Sequence, residues 1–193
     1  MNLPNRLTAA RFFLTFVFVA TLSSEWRYAR TAGLIIFIVA GITDYLDGSI
    51  ARSRNLVTDF GKLMDPLADK IMMASAFILL VPLDAFPAWV AIVIISREFA
   101  ITGLRLLAAS KGVVLPAERI GKHKTVWQIV TVCFFLLLLS IKEFTNAGFG
   151  HSGKWWSIAW RFGGGGLIAL ALVLTLYSGV GYLWKNRTLI SAS

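Results

Sequence analysis

Solid apolar runs, rather than alternation of apolar and polar positions, dominate this chain. Leu34–Ala40, Ile71–Val81, Ala88–Ile95, Val130–Leu139 and Leu167–Leu176 are the clearest. Period-two alternation would mark the strands of a membrane barrel, whereas uninterrupted runs mark helices. A spanning helix needs about 20 mostly apolar residues. Six stretches meet that length: 8–24, 31–51, 62–82, 86–108, 122–141 and 158–183. Pro82 and Pro87 bracket a very short turn between the third and fourth, as helix breakers do. Leu3-Pro4-Asn5-Arg6-Leu7 reads as a short N-terminal interfacial lead-in. The pattern predicts an all-α, polytopic membrane protein of six transmembrane helices. Residues 1–193 form one integral-membrane domain, with no repeat or linker in view.

Composition sharpens this picture. The hydrophobic set makes up 57% of the 193 residues and charged residues only 15%, against about 45–50% and about 25% in soluble domains. Disordered, collagen-like and disulfide-stapled classes are excluded. The one cysteine, Cys133, lies within an apolar run and reads as a small core or lipid-facing residue. Lys and Arg number 19 against 10 Asp and Glu, a formal charge of +9. The cations cluster between apolar runs, which fits a membrane surface better than nucleic acid. The N-terminus, second loop, fourth loop and tail carry twelve of them, and the first, third and fifth loops carry four. That bias sets both termini and the even loops in the cytoplasm, in a multi-pass inner-membrane protein. Met1–Ala10 lacks the layout of a signal peptide, so the N-terminal segment is expected to be retained.

Two further features invite over-reading. Gly163-Gly164-Gly165-Gly166 suggests a phosphate loop but lacks the Lys-Ser/Thr that completes one. Close helix packing is the simpler role for it. Trp155, Trp156 and Trp160 fit an aromatic belt where the sixth span meets the outer interface.

The chemistry concentrates in Asp44-Tyr-Leu-Asp47-Gly48-Ser-Ile-Ala51-Arg52, followed eight residues later by Gly61-Lys-Leu-Met-Asp65-Pro-Leu-Ala-Asp69. Four of the ten acidic residues stand here, at or inside the ends of two consecutive apolar runs. An ionised side chain at the bilayer centre costs at least about 2.5–3.5 kcal/mol, so each needs compensation. Asp44, Asp47 and Ala51 share one helical stripe, and Gly61, Asp65 and Asp69 another. A short connection makes the two helices antiparallel neighbours whose stripes can face each other. Four converging carboxylates repel unless cations neutralise them. Oxygen-only donors suit hard ions such as Mg²⁺ or Mn²⁺ rather than zinc. Gly48, Ala51 and Gly61 leave room for a ligand, and Arg52 supplies a fork for phosphate oxygens. Ion pairs that hold the helices together, or a cation pathway in a transporter, explain one or two of the aspartates equally well.

The pattern D-x2-D-G-x2-A-R-x8-G-x3-D-x3-D resembles the signature of the CDP-alcohol phosphotransferases, with every fixed position present across 26 residues. Met1-Asn-Leu-Pro-Asn-Arg-Leu-Thr8, Asp65-Pro-Leu-Ala-Asp-Lys70, Ser96-Arg-Glu-Phe99, Gly103-Leu-Arg105 and Gly121-Lys-His-Lys-Thr125 are similar to its phosphatidylglycerophosphate synthase branch. The resemblance covers roughly residues 1–140; beyond Lys142 it amounts to a final hairpin and span. It implies the fold of that family and a metal-dependent phosphatidyltransferase of phospholipid biosynthesis. The implied reaction joins CDP-diacylglycerol and sn-glycerol 3-phosphate into phosphatidylglycerophosphate and CMP. It further implies two divalent cations held by Asp44, Asp47, Asp65 and Asp69, with Asp69 also the general base. Gly48, Ala51, Arg52 and Gly61 would meet the CDP moiety, with Thr8 reaching it from the first helix. Arg105, Lys122 and Lys124, then Arg97, are the candidates for the acceptor phosphate, although Arg97 has Glu98 beside it as a partner. Expected partners are the two substrates, membrane lipids and a second copy in a homodimer, with no nucleic acid. Phosphatidylglycerol, inositol phosphate and serine remain alternative acceptors, and a cation transporter the alternative class.

Overall fold

A computed structural model describes residues 3–53, 59–113, 115, 119–145 and 154–187, without the side chains of 3–8, 44–53, 59–66, 69, 119–122, 154 and 155. Among the described residues there are helices and no strands. In chain order they are α1 (Leu3–Leu22), α2 (Ala29–Ser53), α3 (Asp59–Leu80), α4 (Ala88–Ser110), α5 (Arg119–Thr145), a short α6 (Lys154–Ile158), a π-helical segment (Ala159–Gly164) and α7 (Gly165–Lys185). Each of the six apolar stretches therefore lies in helix, save two residues at one end of the first, third and fourth. The lead-in Leu3-Pro4-Asn5-Arg6-Leu7 is helical and continuous with the first apolar stretch, since α1 begins at Leu3. Proline is tolerated in a first turn, where its missing N–H is not needed, so Pro4 does not interrupt the helix.

Helix ends follow local chemistry. The last turn of α4 closes on Gly112, whose φ of 74° is left-handed. Val113 N–H donates to the Ala108 carbonyl at 2.9 Å and Gly112 N–H to that of Ala109 at 3.0 Å, a Schellman closure. The same pairing recurs after α3. There Ala85 N–H reaches the Leu80 carbonyl and Asp84 N–H that of Val81, with Asp84 left-handed at φ 54° in glycine's place. Pro82 and Pro87 flank this turn, as their positions predict.

Both α2 and α3 pack along α1; α5 packs on α2, α3 and α7, and α4 on α3 and α7. The core runs through Phe18 of α1, Phe37 of α2, Phe77 and Leu80 of α3, Ile94 of α4 and Phe135 of α5, all at most 5% exposed. Aromatic contacts continue from Phe77 through Phe86 and Phe135 to Trp160. Trp160 thus packs against the core instead of only lining a belt, and Trp156 stacks on it at 6.0 Å. The glycine run is explained by proximity. A Cβ at Gly164 would lie 2.7 Å from Cζ of Phe135, and one at Gly163 3.0 Å from Cζ of Phe134.

At the far end of α5, the Glu143 carboxylate accepts the N–H groups of Arg30 at 2.7 Å and Thr31 at 2.9 Å. It also accepts the Thr31 hydroxyl, which lies 2.7 Å from Ser140 Oγ as well. The first turn of α2 has N–H groups with no intrahelical acceptor, and a carboxylate there complements the helix dipole.

Large apolar side chains face outward along these helices, among them Phe13, Phe16, Ile92, Phe162 and Tyr177. Among the described residues, two stretches, His123–Thr145 and Trp156–Lys185, are long and apolar enough to cross a membrane.

Candidate functional site

Asp44, Asp47, Gly48, Ala51 and Arg52 fall on α2, and Gly61, Asp65 and Asp69 on α3. Both helices are unbroken through these positions, so the backbone the two stripes require is present. Their side chains, with those of Thr8 on α1 and Lys122 on α5, lie outside the described residues. His151 does too. His123 is exposed.

The residue after Asp69 is described, and it leads to the charged centre of the bundle. Lys70 Nζ of α3 donates to Glu98 Oε2 at 2.9 Å. Arg97, beside Glu98 on α4, reaches Oε1 at 3.2 Å, and Lys124 of α5 donates to the same oxygen. One carboxylate thus collects cations from three helices. Of this group Lys124 is the most enclosed, its side chain only 4% exposed. An ammonium so placed is costly unless an anion accompanies it, and Glu98 supplies that anion.

The last helix contributes as well. Arg97 Nη2 donates to Ser178 Oγ at 3.1 Å. A Cβ at Gly179 would come within 2.8 Å of Arg97 Cγ, so α7 leaves a gap where the arginine stem passes. Deeper along the α5–α7 contact, Gln128 Nε2 donates to Thr175 Oγ1 at 3.0 Å, both residues being buried. A cavity of about 180 Å³ adjoins the cluster, with Lys70, Glu98, Thr125 and Gln128 on its polar side and Met73, Phe77 and Ile94 on its apolar side.

Of the cations read as candidates for an acceptor phosphate, Arg97 and Lys124 are therefore brought together. Arg105 is not: its side chain is exposed, about 12 Å beyond Arg97 along α4 at 1.5 Å per residue. Glu98 and Lys70 were missed as site residues. The signal for Glu98 was available, since an acidic residue within an apolar stretch demands a partner just as the four aspartates do. Nothing local to the sequence announces that Lys70 shares that partner.

Relatives agree with the motif. One, the CDP-diacylglycerol--glycerol-3-phosphate 3-phosphatidyltransferase of Bacillus subtilis, is 40% identical over 204 residues, spanning 100% of this chain and 98% of that protein. A protein of the same name from Rickettsia felis is 39% identical over 136 residues, covering 70% of this chain and 75% of its own length. A probable phosphatidylglycerophosphate synthase of Mycobacterium tuberculosis is 41% identical over 142 residues, or 72% and 68% of the two chains. The similarity thus reaches past residue 140, further than the motifs alone indicated. A protein-family model, CDP-alcohol phosphatidyltransferase, matches residues 1–178, and the chain belongs to that family.

Proposed function

We propose that the protein transfers the phosphatidyl group of CDP-diacylglycerol to sn-glycerol 3-phosphate, giving phosphatidylglycerophosphate and CMP. One observation carries this reading. Lys70, next in the chain to the last motif aspartate, ends on the same carboxylate as Arg97 and Lys124. Cations suited to a phosphate-bearing acceptor therefore gather beside the motif that suits a pyrophosphate donor. A serine acceptor would have no use for them.

In this reading Arg52 and the small residues Gly48, Ala51 and Gly61 receive the CDP end, with Thr8 beside it. Arg97, Lys122 and Lys124 bind the acceptor phosphate, and Arg105 guides it from the exposed end of α4. Asp69 takes the proton of the acceptor hydroxyl while that oxygen attacks the diacylglycerol-side phosphorus. The bond from that phosphorus to CMP breaks as the new one forms. Asp44, Asp47, Asp65 and Asp69 offer a donor set of oxygen alone, which fits two Mg²⁺ or Mn²⁺ ions. Such ions, when bound, neutralise the pyrophosphate and its departing charge.

The single domain spans the inner membrane six times, with both termini and the motif toward the cytoplasm, and pairs with a second copy. Outward apolar side chains on α1, α4 and α7 support the embedding, since soluble monomers rarely expose contiguous apolar patches of this kind. Purified protein should release CMP from CDP-diacylglycerol with labelled glycerol 3-phosphate, and not with serine, inositol phosphate or phosphatidylglycerol. CMP release driven by another of these acceptors would reassign the substrate. No release with any of them would favour the transporter.

A further inference from the structure

We propose that Glu98 is a positioning residue for the acceptor: its carboxylate holds Lys124 and Arg97, from two different helices, in the arrangement that receives the acceptor's phosphate. The proposal rests on the acceptor reading given above. A carboxylate repels a phosphate, so Glu98 is not itself a contact; it acts through the cations it orients.

Three features separate this from an ordinary interhelical ion pair. A pair needs one cation, whereas Glu98 is met by Lys70 from α3, Arg97 from α4 and Lys124 from α5. Lys124 is 3% exposed and enters the centre of the bundle as an ammonium only with an anion beside it. The surroundings are also shaped for direction. Ser178 draws one end of the Arg97 guanidinium toward α7 while Glu98 holds the other, and Gly179 clears the path of its stem. The cavity edged by Lys70 and Glu98 leaves open space beside the cluster. Arg97 and Lys124 do not line that cavity; held in advance by Glu98, they leave less ordering to be done when the acceptor phosphate binds.

Steady-state kinetics of the purified full-length protein, varying each substrate in turn, tests this. Glu98→Gln should raise the KM for glycerol 3-phosphate about ten- to hundredfold, the scale of a lost charge-assisted contact. The KM for CDP-diacylglycerol and kcat should change far less. Glu98→Asp, which keeps the charge one methylene shorter, should recover part of the loss. It also serves as the test variant if Glu98→Gln does not fold. Lys124→Gln should raise the same KM, and the double variant Glu98→Gln/Lys124→Gln should fall short of the product of the two single effects, because both act through one contact.

An unchanged or lowered KM in Glu98→Gln, with Lys124→Gln and Arg97→Gln still impaired, overturns the positioning role and leaves the acceptor reading standing. Equal loss toward both substrates, tracking a fall in thermal midpoint and not relieved in Glu98→Asp, identifies a structural ion pair and overturns it too. If Lys124→Gln and Arg97→Gln are themselves silent toward glycerol 3-phosphate, the acceptor site lies elsewhere and the proposal falls with it.

Discussion

At the scale of single residues, one missing methyl group can matter more than a charge. Gly164 lies under Phe135, which is 1% exposed and packed by Phe86, Phe134 and Trp160. The ring has nowhere to retreat, so Gly164→Ala should lower stability by about 1–3 kcal/mol, as overpacking does. Gly166, with open space around its Cβ position, provides the control. Gly166→Ala should be neutral or gain up to about 1 kcal/mol of helix propensity. Thermal denaturation of the two variants in detergent reads the difference, and equal midpoints would refute the packing argument. A second prediction concerns Asp69. If its proton-accepting role exceeds its ligand role, Asp69→Asn should abolish turnover while CDP-diacylglycerol binding stays measurable. Asp44→Asn should weaken that binding as well. A near wild-type rate in Asp69→Asn would remove it from catalysis.

At the scale of elements, the clamp of Glu143 on the start of α2 is the clearest case of one helix completing another. Its carboxylate accepts three hydrogen bonds from Arg30 and Thr31. Glu143→Ala should cost about 1–2 kcal/mol, because it leaves partly buried donors without their acceptor. Lys124 and Glu143 lie about 28 Å apart along α5 at 1.5 Å per residue, so KM for either substrate should hold. A shifted KM with intact stability would mean that the two ends of α5 are coupled. The contrast also shows what a sequence can and cannot disclose. The helices were legible because apolar runs and prolines act locally. The sequence also placed the four aspartates in helices, and α2 and α3 are helical through those positions. Glu143 on α2 and Glu98 on Lys70 and Lys124 were not legible, since each joins residues whose neighbourhood only the packed bundle creates.

At the scale of the whole molecule, charge is laid out against the apolar bulk in two distinct ways. Glu98 meets its cations within the chain, whereas residues 44–69 hold five aspartates against Arg52, Arg54 and Lys62, an excess of negative charge along the motif. Turnover should therefore vanish on chelation with EDTA and return with added Mg²⁺ or Mn²⁺. Full activity in metal-stripped protein would sink the two-ion proposal. Zn²⁺ should restore activity poorly, since the motif offers no sulfur or imidazole donor.

The contact between Arg97 and Ser178 also orders events in time. Synthesis runs from the N-terminus, and Ser178 emerges 81 residues after Arg97. The helices bearing the aspartates are complete long before the serine that draws Arg97 toward α7 exists. A nascent or truncated chain ending before Ser178 therefore has its donor motif in place while Arg97 is still unguided from that side. In the proposed reading, the nucleotide end is therefore complete before the acceptor end, and α7 is the last helix to reach the site.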